Sequence, residues 1–88
     1  MQYMVVETFM RGPEPVYARF RERGRLAPEG LHYVSSVVSA DGARCFQVME
    51  CAERQLLETW MEAWRDIVSF EVVPVISSAE AARRFGPG

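Results

Sequence analysis

Residues 31–51, LHYVSSVVSADGARCFQVMEC, decide the fold. Asp41-Gly42 at the centre is a strong hairpin signal, because a two-residue type I′ turn needs positive φ at both central positions. The flanks LHYVSSVVS (31–39) and RCFQVMEC (44–51) are rich in β-forming residues. The middle of the chain therefore reads as an antiparallel hairpin. With a two-residue turn, Ala40 pairs with Ala43. Val37 then faces Phe46, Ser35 faces Val48 and Tyr33 faces Glu50 on one side of the sheet. On the other side, Val38 faces Cys45, Ser36 faces Gln47, Val34 faces Met49 and His32 faces Cys51.

Outward from the hairpin, each side repeats one pattern of a strand and a helix. Upstream, YMVVETFM (3–10) is a strand. Gly12, Pro13 and Pro15 break it, and proline is tolerated in a first helical turn, so a helix starts near Pro13. Val16, Tyr17 and Phe20 recur at helical spacing, and Gly24 is a natural stop. Residues 25–30 are a loop. Downstream, residues 52–66 form a helix with Leu57, Trp60, Met61 and Trp64 as its apolar stripe. VSFEVVPVI (68–76) is a strand that Pro74 confines to a sheet edge. Ser77-Ser78-Ala79-Glu80 is a capping box, so a short helix runs to Arg84 and ends at Gly86-Pro87. The order β-α-β-β-α-β is the split βαβ, ferredoxin-like pattern of the α+β class. It predicts one domain over residues 1–88. The sheet is antiparallel in the order 4-1-3-2, with two helices on one face and a short C-terminal helix.

Composition narrows the function. A chain of 88 residues buries only about 60% of its unfolded surface and gains from oligomerising. The net charge of −2 argues against nucleic-acid binding, which rests on neutralising phosphates. All ten basic residues are arginine, which excludes Schiff-base and P-loop lysine chemistry. No basic segment leads into an apolar run at the start, and no run nears the ~20 residues of a membrane span, so a cytoplasmic protein without membrane contact is expected. Cys45 and Cys51 share one strand about 20 Å apart, which forbids a disulfide. With a single histidine, His32, and no metal-ligand spacing, neither metal nor cofactor is expected.

The candidate site comes from polar residues inside strands. Glu7, Gln47 and Glu71 interrupt otherwise apolar runs. Strand parity gathers Tyr3, Glu7, His32, Ser36, Gln47 and Glu71 on the side opposite Met4, Val6, Phe46, Val48, Phe70 and Val72, which suit the helices. The polar side also carries Val5, Phe9, Val34, Val38, Met49 and Val73. A face half apolar and half charged asks for a second sheet to cover it, so the expectation is a homodimer through this face enclosing a polar pocket. Glu7 is the sharpest candidate acid or base, because burial raises a carboxyl pKa. Trp60 and Trp64 read as core. Arg19, Arg21, Arg23 and Arg25, interrupted by Glu22, read as a solvated face.

The segments GLHYV, CFQVME, WMEAW and FEVVPVISSAEAA, with the Asp-Gly turn, resemble an uncharacterised prokaryotic domain-of-unknown-function family of the dimeric α+β barrel kind. The resemblance implies a ferredoxin-like protomer and a face-to-face sheet dimer. The wider superfamily includes cofactor-independent monooxygenases, haem-degrading enzymes, lactone isomerases and ligand-sensing domains, and it suggests His32 as a haem ligand by analogy. No catalytic motif of these can be placed on the residues here. Three readings follow. One is a homodimer that binds a small polar or partly cationic molecule through Glu7, Glu71 and Gln47. Another is a metal-independent monooxygenase or isomerase with Glu7 as base. The third is a structural module without a ligand.

Overall fold

The computed structural model describes residues 1–86. The elements are β1 (Gln2–Phe9), α1 (Pro13–Arg23), β2 (His32–Val38), β3 (Arg44–Glu50), α2 (Gln55–Glu62), β4 (Val68–Val75) and α3 (Ser78–Phe85). The four strands form one sheet in the order β2-β3-β1-β4, with every neighbour antiparallel. This is the ferredoxin-like arrangement that the element order predicts. Pro74 lies on the edge strand β4, where its missing N–H costs no ladder bond.

Local chemistry explains the boundaries. Two prolines, Pro13 and Pro15, open α1, and Gly24 closes it with φ 72°, donating its N–H to the Phe20 carbonyl at 2.8 Å. The hairpin turn is wider than the expected two residues: Ala40 and Ala43 lie outside the ladder, Gly42 N–H donates to the Ser39 carbonyl at 2.8 Å, and Gly42 has a positive φ of 75° whereas Asp41 does not. There Ser39 N–H donates to the Arg44 carbonyl at 2.8 Å, and Asp41 Oδ1 accepts from Ala43 N–H at 2.9 Å. The second helix is shorter than residues 52–66. Its last turns tighten, with Trp64 N–H bonded to the Met61 carbonyl and Ile67 N–H to that of Trp64, so the apolar stripe survives without a continuous α-helix. Ser77 caps α3 by accepting the Glu80 N–H at 3.1 Å. The expected stop is met at Gly86, and Pro87 lies outside the described residues. Among the described residues no helix is long and apolar enough to cross a membrane.

The core lies between the sheet and the first two helices. Val16 of α1 and Leu57, Trp60 and Met61 of α2, with Trp64 just beyond it, pack on Tyr3, Val5 and Phe9 of β1, Cys45 and Met49 of β3, and Val68 of β4. This corrects the sequence expectation. Val5, Phe9 and Met49 belong to the helix-covered face and not to an open dimer face. Parity grouped Glu7, Gln47, Val5, Phe9 and Met49 correctly, but the group lies under the helices. Phe70 and Val72 lie under the helices as expected, yet they pair with Glu7 and Val5 rather than sharing a face with Met4 and Val6. The open face instead carries two cross-strand rows: Val37, Phe46, Val6 and Glu71, then Ser35, Val48, Met4 and Val73.

The hairpin register holds from the turn to Ser35↔Val48 and then slips. A β-bulge at Val34 makes Tyr33 the partner of Met49 and His32 the partner of Glu50. One extra residue reverses side-chain parity beyond it. Tyr33 thereby reaches the helix-covered face, and His32 is turned to the open one.

Candidate functional site

The two polar side chains buried beneath the helices are Glu7, 7% exposed, and Gln47, 5% exposed. They lie in adjacent cross-strand rows: Val38–Cys45–Glu7–Phe70 and Ser36–Gln47–Val5–Val72. Gln47 Nε2 donates to Glu7 Oε2. Gln47 Oε1 in turn accepts from Arg25 Nε at 3.3 Å. A guanidinium, an amide and a carboxyl thus form one directed chain, and the two charged partners fix which way the amide points.

Arg25 enters this chain from the α1–β2 loop and is held at both ends. Its carbonyl accepts the indole N–H groups of Trp60 and Trp64, each at 3.0 Å. Its guanidinium lies 4.0 Å from the centre of the Tyr33 ring and 5.3 Å from that of Phe20. The bulge at Val34 makes the Tyr33 contact available, and Tyr33 and Ser36 hydroxyls bond at 2.8 Å. Leu26, next in the chain, has φ 63°, the only positive φ at a non-glycine among the described residues. Such backbone costs on the order of 1 kcal/mol or more, and the packing of Leu26 on the core holds it there. Trp64 is steadied from outside. Arg19 bridges to Asp66 at 2.7 and 2.8 Å, donates to the Ala63 carbonyl, and lies 5.5 Å from the Trp64 ring centre. That hydrogen-bonded pairing holds the Asp66 carboxyl down at about 2.

Above Glu7 and Gln47 opens a cleft of about 160 Å³. Phe9, Tyr17, Phe20, Trp60 and Trp64 wall it, and Arg25, Ser36 and Cys45 complete its polar side. Both indole N–H groups are engaged by Arg25, so the tryptophans offer ring faces only. Among the described residues no hydrogen bond reaches Glu7 Oε1. Among the described residues no fully enclosed side-chain N or O lacks a partner, so Oε1 is reached from the cleft.

The electrostatics follow from burial. Desolvation pushes the Glu7 carboxyl up to about 7, against the smaller opposing effects of the Gln47 hydrogen bond and the Arg25 charge. Glu7 therefore changes charge near neutrality. Cys45, directly across the ladder from Glu7, is pushed up to about 11 by burial and by the neighbouring carboxylate, with Arg25 opposing. It stays a protonated thiol rather than a nucleophile.

Of the six expected site residues, Glu7, Ser36 and Gln47 meet in the cleft. Tyr3 is buried on the same face, further along β1, with Arg54 5.6 Å from its ring centre. His32 and Glu71 are exposed on the opposite face: Glu71 pairs with Val6, beside Glu7 in register but turned away from it, and His32 pairs with Glu50 at the far end of the ladder. Arg25 departs from the solvated face expected of Arg19, Arg21, Arg23 and Arg25, because its guanidinium turns into the cleft, and the alternation of the four carries no sign of this. The one usable signal was its place after Gly24, outside the helix. In a larger depression beside β4, lined by Arg54, Glu58 and Arg65, Arg65 pairs with Glu58 at 3.6 Å and Arg54 lies over the Tyr3 ring. Among the described residues no three His, Cys, Asp or Glu side chains gather as a metal site needs.

These features define a class: a ferredoxin-like α+β domain whose sheet buries a Gln–Glu pair, joined by a half-buried loop arginine, at the base of an aromatic cleft. The chain belongs to the family described as a domain of unknown function, DUF3303, whose model matches residues 1–88. No curated protein and no solved structure matches it.

Proposed function

We propose that this chain is a homodimeric binding domain that takes a small molecule into the cleft over Glu7. The observation that carries the reading is a buried carboxyl with one oxygen open to an aromatic cleft. Burying such a group costs several kcal/mol unless partners compensate, and a core that needed only packing has no use for it. Size restricts the ligand. Drug-sized sites run to roughly 300–1,000 Å³, whereas a cavity of ~150 Å³ takes a single benzene ring. A cleft of about 160 Å³ suits a one-ring molecule. In the test, benzoate, benzamide and benzylamine are titrated separately into the protein while amide and indole NMR signals are followed. At least one should shift Glu7, Gln47 and Trp64 together at millimolar concentration. No shift from any of the three, or shifts confined to the outer surface, would refute the proposal.

A second reading has its own support. A carboxyl with a pKa of about 7 is well matched to proton transfer at neutral pH, so Glu7 suits the acid–base group of a metal-independent monooxygenase or isomerase.

The dimer uses the open face. Met4, Val6, Phe46 and Val48 form an apolar centre there, with Val37 68% and Val73 42% exposed beside it. The partner best suited to a flat apolar sheet is a second copy of the same sheet. Sedimentation at micromolar concentration should give about twice the 10.0 kDa of one chain, and Val6→Arg should halve it while the fold persists. A wild-type monomer would overturn this part. The two unpaired cysteines suit a reducing compartment, and we place the domain in the cytoplasm.

A further inference from the structure

The guanidinium of Arg25 is incompletely used. A guanidinium carries five N–H donors in one plane. Only Nε is engaged, on Gln47 Oε1. Among the described residues the terminal nitrogens of Arg25 bond to nothing, and no carboxylate pairs with it. Arg19 shows the contrast, with both terminal nitrogens on Asp66. Phe20 and Tyr33 beside the guanidinium offer rings but no acceptor geometry for its in-plane edge. A forked donor left open in an aromatic cleft matches a planar carboxylate.

Resting on the binding role proposed above, we propose that the ligand is a one-ring aromatic carboxylate, which pairs with the terminal nitrogens of Arg25 and whose binding draws a proton onto Glu7.

The coupling follows from which groups face Glu7. From β3 these are Gln47 and Cys45, from the α1–β2 loop Arg25, and from α1 Tyr17. Ser36, Phe70, Trp60 and Trp64 complete the surroundings without charge. Cys45 is held protonated, so Arg25 is the charge that favours an ionised Glu7. A ligand carboxylate on Arg25 offsets that charge and adds a negative one nearby, and both effects favour protonated Glu7. A protonated Glu7 also gains an O–H that can donate to the ligand. A cation fares worse, because it would meet the Arg25 charge beside a carboxyl that desolvation drives toward neutrality.

The test is calorimetric titration of the full chain with sodium benzoate, benzamide and benzylamine. Each is run at pH 6 in MES and in imidazole and at pH 8 in HEPES and in Tris, pairs whose different ionisation heats reveal proton exchange. Benzoate should bind about tenfold or more tighter than benzamide. It should take up roughly half a proton or more at pH 8 and much less at pH 6, where Glu7 is already protonated. Glu7→Gln should lose the proton uptake at pH 8 and, with it, the difference in proton exchange between pH 6 and pH 8. Arg25→Gln, checked for folding by circular dichroism, should weaken benzoate about tenfold and so remove its advantage over benzamide. Benzamide or benzylamine binding as tightly as benzoate would overturn the carboxylate assignment while the binding role stands. Benzoate binding to wild type at pH 8 without proton exchange would overturn the coupling. Failure of all three probes to bind would remove the binding role itself, and this inference with it.

Discussion

Trp60→Ala is expected to destabilise the domain by about 3–5 kcal/mol, measured by denaturant unfolding with an unchanged slope. Trp60 is 2% exposed and packs on Phe70 with ring centres 5.9 Å apart. Truncation removes that contact and opens a void that the rigid sheet beneath cannot close. The polar loss is small by comparison. The Arg25 carbonyl that accepts the Trp60 N–H keeps its second donor, Trp64. Trp60→Phe isolates that lesser part and should cost only about 1 kcal/mol from the lost hydrogen bond, plus a smaller packing loss. Small domains are stable by about 5–15 kcal/mol, so the alanine variant falls near the threshold of folding. Unchanged stability in Trp60→Ala would show that the indole is a cleft wall only and that the core lies elsewhere.

The same tryptophan shows what could be read from residue spacing. Its place in the stripe Leu57, Trp60, Met61, Trp64 marked it as core, and it is. The hairpin, the element order and the edge position of Pro74 were equally legible, because each rests on local chemistry within a few residues. The choice of sheet face was not. Both sides of β1 are apolar enough to pack, with Met4 and Val6 on one and Val5 and Phe9 on the other. Parity says which residues share a face, and it does not say which face the helices cover. The expectation resolved this by keeping the charge of Glu7 away from the helices, the usual preference for carboxylates. The protein does the opposite, because Gln47 and Arg25 make burial tolerable. Arg25 comes from a loop with no periodicity to read, and the bulge at Val34 that brings Tyr33 against it is a single-residue event. The site therefore depends on two features, a loop and a bulge, that leave no trace in hydrophobic pattern. Glu7, Ser36 and Gln47 could be found because strand parity is strict between the hairpin turn and Ser35.

That buried carboxyl should make stability depend on pH in a direction opposite to that of a salt-bridged acid. Glu7 ionises at 4.5 in the unfolded chain and at about 7 in the folded one. Between those values the folded state holds a proton that the unfolded state has released. Stability is therefore greatest below pH 4.5 as far as this group is concerned, and it declines as pH rises through about 7. At ~1.4 kcal/mol per pKa unit, the whole decline is about 3 kcal/mol. Glu7→Gln keeps the shape, can still accept from Gln47 Nε2 through its amide oxygen, and carries no charge. It should match wild type near pH 4 and exceed it by up to about 3 kcal/mol at pH 8. Other titrating groups are common to both proteins and cancel in the difference. The measurement is denaturant unfolding of both across pH 4–9, beside an NMR titration of the Glu7 carboxyl. A difference independent of pH, or a carboxyl titrating at or below 4.5, would mean that Arg25 pairs with Glu7 strongly enough to keep it ionised. The cleft would then present a compensated ion pair, in which Glu7 neither binds nor releases a proton near neutral pH, and both proton uptake on ligand binding and acid–base chemistry at Glu7 would lose their physical basis.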